Sequence, residues 1–157
     1  MLKALVVDDM KSNRQLLAKL VSNRGVEVDM AEDGQIAVDY IMDHGHTIDI
    51  IFMDNVMPIK TGVESTDECR NEIIGYGGLI IGVTGNTLPE DMQAFLDAGA
   101  DFILGKPVSV PQLDAIINHV KTHGKYSPKS RVHQSRFDDE LKLKIEDLEK
   151  EVKNLRK

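Results

Sequence analysis

The sequence predicts an α/β chain built on a doubly wound, five-stranded parallel sheet, and two observations carry that prediction. Five short apolar runs recur, at 4–7, 26–31, 48–53, 79–83 and 102–104. Between them lie segments whose apolar residues stand three and four apart, the spacing of one helix face. Strands that are apolar throughout are covered on both sides, which is the environment of a parallel sheet with helices above and below. Right-handed crossovers then leave only a few topologies, all doubly wound.

The elements follow in order. The first run, "ALVV", leads straight into Asp8 and Asp9. Leu16, Leu17, Leu20 and Val21 mark the first helix, and Ile36, Ala37, Tyr40 and Ile41 the second, on either side of the run at 26–31. The third strand closes on Asp54 in "IIFMDNVMP", and the fourth on Thr84 in "IIGVTGN". Lys106 follows the fifth in "FILGKPV", and Leu113, Ile116, Ile117 and Val120 form the last helical stripe of the body. Gly124, Ser127 and Pro128 then break the pattern. The chain therefore divides into a globular body at 1–122, a linker at 123–136 and a helical extension at 137–157.

Charge separates the same regions. Residues 1–122 hold 9 Lys/Arg against 19 Asp/Glu, whereas 123–157 hold 10 against 7, so a net −7 conceals an acidic body and a basic tail. An acidic body disfavours nucleic acid as a ligand and attracts cations. The stretch 123–136, with Lys125, Lys129, Arg131 and Arg136 and no acid, reads as a solvated basic linker. The single cysteine, Cys69, excludes a disulfide framework and fits a cytoplasmic setting. No apolar run is long enough to span a bilayer, and the first strand begins too close to Met1 for a signal peptide.

In a parallel sheet all strand C-termini lie along one edge, where ligands bind. Asp8, Asp9, Asp54, Thr84 and Lys106 all stand at strand ends, and they meet there if the first, third and fourth strands are neighbours. Any one of them alone reads as a turn former, a cap or a surface lysine. Together they have a common chemistry. Two carboxylates about 5 Å apart repel by roughly 3 kcal/mol at an effective dielectric of about 20. Lys106 offsets part of that; a hard divalent cation offsets more and prefers oxygen donors. Mg²⁺ uses one or two carboxylates and accepts phosphate oxygens. The constellation thus points to Mg²⁺-assisted phosphoryl chemistry with Asp54 as nucleophile. Lys106 would neutralise charge on the transferring group, and Thr84 would hydrogen-bond it.

These residues resemble a family. "VVDD", "FMDNVMP" followed by Gly62, "GVTGN", "AGAD" and "GKPV" occur in the order and spacing of response-regulator receiver domains of two-component phosphorelays, and the resemblance covers the whole of 1–122. It implies a flavodoxin-like sheet of order 2-1-3-4-5 and Asp54 as phosphoacceptor. It further implies Mg²⁺ held directly by Asp9 and Asp54, by Asp8 mainly through water, and by the backbone carbonyl of Val56. Thr84 and Lys106 would hold the phosphoryl group. The implied partner is a histidine kinase or a histidine phosphotransfer protein. "TGN" and "GADFILGKPV" are similar to receivers attached to hybrid histidine kinases. One departure stands out: the position often occupied by a switch Tyr or Phe holds Ile103, and Phe102, one residue earlier, must face the other side of the sheet. Val56 and Asn86, at the positions that tune phospho-aspartate hydrolysis in the family, offer no general base, so a phosphorylated state that is not short-lived is expected.

The tail carries Leu141, Ile145, Leu148, Val152 and Leu155 at spacings of 4, 3, 4 and 3. In d, a, d, a, d register, β-branched residues at a and Leu at d favour a parallel two-stranded coil. Lys144 then faces Glu149 of a second copy, and Glu151 faces Arg156. A helix packed on its own receiver would use the same stripe; the leading expectation is a homodimer through 141–155, with output through that helix or a downstream effector. The protein is then a switch that catalyses its own phosphorylation and dephosphorylation rather than an enzyme acting on other substrates. The rival readings are a Mg²⁺-dependent aspartyl-phosphate phosphotransferase or phosphatase, and a structural dimerisation module. The first commonly needs an acid two residues beyond its nucleophile, where Val56 stands; intact Asp8, Asp9, Asp54, Thr84 and Lys106 oppose the second.

Overall fold

A computed structural model describes residues 1–86 and 88–123. Most of the expected linker at 123–136, and the expected helix at 137–157 with its dimer seam, lie outside the described residues. The elements run β1 (Lys3–Val7), α1 (Lys11–Ser22), β2 (Glu27–Ala31), α2 (Gly34–His44), a 3₁₀ turn (Gly45–Thr47), β3 (Ile50–Asp54), α3 (Gly62–Arg70), β4 (Leu79–Thr84), α4 (Pro89–Ala98), β5 (Phe102–Gly105) and α5 (Val110–His123). All strand pairs are parallel, and the order is β2-β1-β3-β4-β5.

The central strands β1, β3 and β4 are covered on both faces, whereas β2, at the sheet edge, leaves Glu27 and Met30 exposed. On one face Val6, Phe52, Ile81 and Leu104 pack with Leu17 and Val21 of α1 and Ile116 and Val120 of α5. On the other, Leu5, Ile51, Met53 and Ile80 pack with Val38 and Ile41 of α2, Cys69 of α3 and Phe95 of α4. Each such fully buried side chain contributes about 2 kcal/mol from its removal from water. The helices start at local signals. The Asp33 side chain accepts from Ile36 N–H at α2, Thr61 and Glu64 form a capping box at α3, and Pro89 opens α4. Gly99, at φ +119°, ends α4 in the left-handed region that glycine adopts without strain.

The expected stripe of α5, Leu113, Ile116, Ile117 and Val120, is buried, whereas those of α1 and α2 are shifted in phase. Leu16 is 61% exposed and Ile36 is also exposed. The buried line of α1 runs through Arg14, Leu17 and Val21. Neighbouring positions on a helix differ by about 100°, so when Leu17 faces the sheet Leu16 cannot. Among the described residues no helix is long and apolar enough to cross a membrane.

Register brings the strand ends level: Asp54 lies opposite Val83, and Thr84 opposite Gly105. The order puts β1 and β3 side by side, with β4 next to β3. The C-terminal edge of the sheet therefore gathers the residues that follow β1, close β3 and β4, and follow β5.

Candidate functional site

β1 ends at Val7, so Asp8 and Asp9 stand just past the strand rather than as its last residues. The Asp8 N–H still donates to the Ala31 carbonyl at 3.2 Å. Its Oδ1 accepts from Met10 N–H at 2.9 Å, and its Oδ2 from Lys106 Nζ at 3.1 Å. Asp54 closes β3, and its Oδ1 accepts from the same Nζ at 3.0 Å. Asp8 and Asp54 are 5% and 6% exposed, whereas Asp9 faces solvent. One carboxylate oxygen from each of Asp8, Asp9 and Asp54 can be chosen so that all lie within 4.8 Å of one another.

The electrostatics of this cluster are unfavourable by construction. Burial pushes the Asp54 carboxyl above the ordinary carboxylate value; the Lys106 hydrogen bond opposes that shift, and the Asp8 charge reinforces it. Burial pulls the Lys106 ammonium down, but hydrogen bonds and charge from Asp54 and Asp8 outweigh it, and the net shift is upward. When ionised, three carboxylates face one ammonium. Clustered oxygen donors with negative charge in excess fit a hard divalent cation such as Mg²⁺.

Thr84 closes β4 and is buried. Its Oγ1 accepts from Asn86 N–H at 3.0 Å, which leaves the hydroxyl proton available for a further acceptor. Its carbonyl accepts from Lys106 N–H at 3.0 Å, tying the fourth strand to the lysine. Gly62 lies hard against the third: a Cβ there would come 2.1 Å from the Asp54 carbonyl oxygen. Only glycine lets the loop after β3 close this tightly, and Gly62 N–H donates to the Asn55 carbonyl at 2.9 Å. Val56, in that loop, is 74% exposed.

The sequence profile of the response regulator receiver domain matches residues 4–118. The chain belongs to that family. Relatives include the rice two-component response regulator ORR41 (Oryza sativa subsp. japonica), 35% identical over 119 residues, covering 74% of this chain and 92% of ORR41. The autoinducer 2 sensor kinase/phosphatase LuxQ of Vibrio parahaemolyticus is 36% identical over 107 residues, which are 68% of this chain but 12% of LuxQ. The receiver thus spans a small part of the kinase it resembles. Among solved structures, Vibrio cholerae CheY4 superposes with a TM-score of 0.69 at 32% identity, covering 76% of this chain and 98% of that one. The receiver domain of the sensor histidine kinase PA1611 from Pseudomonas aeruginosa, solved with a magnesium ion in its active-site cleft, gives 0.67 at 30% identity, covering 73% and 93%.

The receiver's fifth strand bears out the expected split of its two large side chains. Phe102 packs with the α1 and α5 side, and Ile103 with the α2, α3 and α4 side. Ile103 and Phe95 of α4 close over Gly82, where a Cβ would come 2.8 Å from the Ile103 Cδ1 and 3.0 Å from the Phe95 ring. An aliphatic side chain thus fills this place, packed against a buried phenyl ring.

Two features of the receiver site were absent from the sequence reading. Asn86 turns its side chain toward α4: Nδ2 donates to Asp91 at 2.7 Å and Oδ1 accepts from Leu88 N–H at 3.1 Å. Arg14 lies buried beneath Asp8 and donates to its carbonyl at 2.8 Å. The available signal was a cation on the buried stripe, three residues before Leu17 and seven before Val21.

Proposed function

We infer that this receiver is a phospho-aspartate switch: Asp54 accepts a phosphoryl group from a phosphohistidine on a histidine kinase or a histidine phosphotransfer protein. The observation that carries the reading is the single Lys106 ammonium bridging two buried carboxylates, beside a third. An Asp54 oxygen attacks phosphorus, the P–N bond breaks, and its electron pair stays on the departing imidazole. Lys106 remains paired with Asp8 and takes up charge on the incoming phosphoryl oxygens. The Thr84 hydroxyl, already oriented by Asn86 N–H, donates to one of those oxygens. Asp8, Asp9, Asp54 and the Val56 carbonyl would hold Mg²⁺, which when bound supplies further charge neutralisation at the phosphoryl group. The magnesium reported in the PA1611 receiver supports this assignment.

The donor side is supported by shape. An apolar groove lined by Leu16, Leu20, Pro107 and Val108 opens beside Asp8 and Lys106. Exposed Leu16 on its rim suits a helix presenting a phosphohistidine. The kinase names among the relatives, LuxQ and the hybrid signal transduction histidine kinase I of Dictyostelium discoideum, agree with that partner class. Such partners place the receiver in the cytoplasm. The 141–155 stripe then joins two receivers, and phosphorylation changes their mutual orientation.

Two experiments test the reading. A small acyl-phosphate donor with Mg²⁺ adds one phosphoryl group to the wild-type chain, and none to Asp54→Asn; an equally labelled Asp54→Asn refutes the acceptor. In sedimentation equilibrium the full chain is a dimer, and Leu148→Glu or truncation after His123 makes it monomeric with labelling intact. A full chain that stays monomeric in both phosphorylation states removes the coil.

A further inference from the structure

We propose that Arg14 is a positioning residue for the cation and phosphoryl site, acting through the Asp8–Asp9 peptide. It rests on the switch reading above and names a part of the site outside the carboxylates, Thr84 and Lys106.

Arg14 as a residue is 9% exposed. Among the described residues it has no carboxylate within ion-pair distance, and its side-chain hydrogen bond goes to the Asp8 carbonyl at 2.8 Å. A buried cation without a carboxylate partner is costly, and it persists where something specific holds it. Leu17 and Val21 would accept an apolar residue at position 14 on the same stripe. The cost is therefore not one that packing demands.

The acceptor explains the role. The Asp8 N–H makes the last bond to β2, and the Asp8 carbonyl accepts from no backbone N–H among the described residues. That carbonyl belongs to the peptide joining Asp8 to Asp9. A hydrogen bond to it fixes the peptide plane, and with it the positions of the Asp9 nitrogen and Cα from which that side chain departs. The Asp8 side chain is held independently by Met10 N–H and Lys106 Nζ. Asp9 is exposed and makes no side-chain hydrogen bond or ion pair among the described residues, so its aim depends on the backbone that carries it. Arg14 reaches that backbone from the first turn of α1, where its own N–H donates to the Met10 carbonyl at 2.9 Å. One residue thus ties helix start, strand end and acidic loop together. It also places a fixed positive charge under a cluster with negative charge in excess.

The test is a Mg²⁺ titration of the full chain followed by backbone amide shifts, which also report whether the fold is intact. Arg14→Met weakens Mg²⁺ binding about tenfold, the low end of the loss for residues that orient metal ligands. Arg14→Lys keeps a charged donor of similar reach and falls between the two. A folded Arg14→Met with wild-type affinity overturns the proposal, and so does an equal loss in both variants, which would make the effect one of packing. Should Arg14→Met not fold, Arg14→Lys decides: binding weakened about threefold, as expected when a point donor replaces a planar fork, supports the proposal, and wild-type affinity overturns it. A wild-type chain that binds no Mg²⁺ overturns the proposal together with the metal reading.

Discussion

The two edges of the sheet handle charge in opposite ways. At the N-terminal edge, before β4 and β5, the largely buried Arg70 meets an opposite charge in Asp101. Arg70, at the end of α3, donates to Asp101 at 2.9 Å and to the Tyr76, Gly78 and Gly99 carbonyls, and its guanidinium lies over the Tyr76 ring. Asp101 also accepts from Ile80 N–H at 2.9 Å, and Asp49 from Lys3 N–H at 2.9 Å. At the C-terminal edge, Asp8 and Asp54 share Lys106, and Asp9 beside them has no ion pair among the described residues. The same strands carry both arrangements. A charge cluster that satisfies itself holds a fold together; one left short of positive charge is ready to receive it from outside.

The largest effect that sharpens this contrast is expected at the structural edge. Arg70→Met removes a largely buried ion pair with Asp101 and the donor to three carbonyls, a loss of about 3 kcal/mol. Denaturant unfolding measures it, and phosphorylation per folded molecule stays at the wild-type level. A variant as stable as wild type would break the comparison. A smaller effect of opposite sign is expected at the other edge. Without Mg²⁺, Asp54→Asn raises the unfolding temperature, because burial and Asp8 disfavour the charge it removes. The gain is on the order of 1 kcal/mol. A destabilised Asp54→Asn would mean that the Lys106 pairing outweighs the repulsion, and the edges would then not differ in kind.

The smallest effect belongs to an exposed pair between the edges. The Tyr40 hydroxyl, and then Lys3, hold the Asp29 carboxyl below its ordinary value. Its folded pKa lies below the unfolded one, so its contribution is present above the unfolded value and is lost as pH falls through the folded value. Asp29 is more than a third exposed, so solvent screening limits this to less than about 1 kcal/mol. Thermal scans of wild type and Tyr40→Phe should differ slightly at neutral pH and converge in acid; a gap that widens in acid contradicts the assignment.

Much of the functional edge was legible in the sequence, because continuous apolar runs are read easily and Asp54, Thr84 and Lys106 abut them directly. β1 to β5 match the apolar runs to within a residue or two at each end. Helix phase was less legible. Leu16 and Leu17 both fit an apolar face, and only the packing of α1 on β1 shows which one is buried. Arg14 and Arg70 escaped for a related reason. Their partners are mostly backbone carbonyls, present at every residue and silent in a sequence. Gly62 was visible as part of a motif, but its reason, contact with the Asp54 carbonyl, needs coordinates.

The central claim is that the edge short of positive charge is a phosphoacceptor site with one acceptor. The most direct measurement treats the wild-type chain with an acyl-phosphate donor and Mg²⁺, reduces it with borohydride, and maps the peptides. Borohydride converts an aspartyl phosphate to homoserine, so the acceptor is marked in place. The account predicts homoserine at position 54 and at neither Asp8 nor Asp9. Homoserine at position 8 or 9, or phosphate retained on the Thr84 hydroxyl with position 54 unmodified, would contradict it.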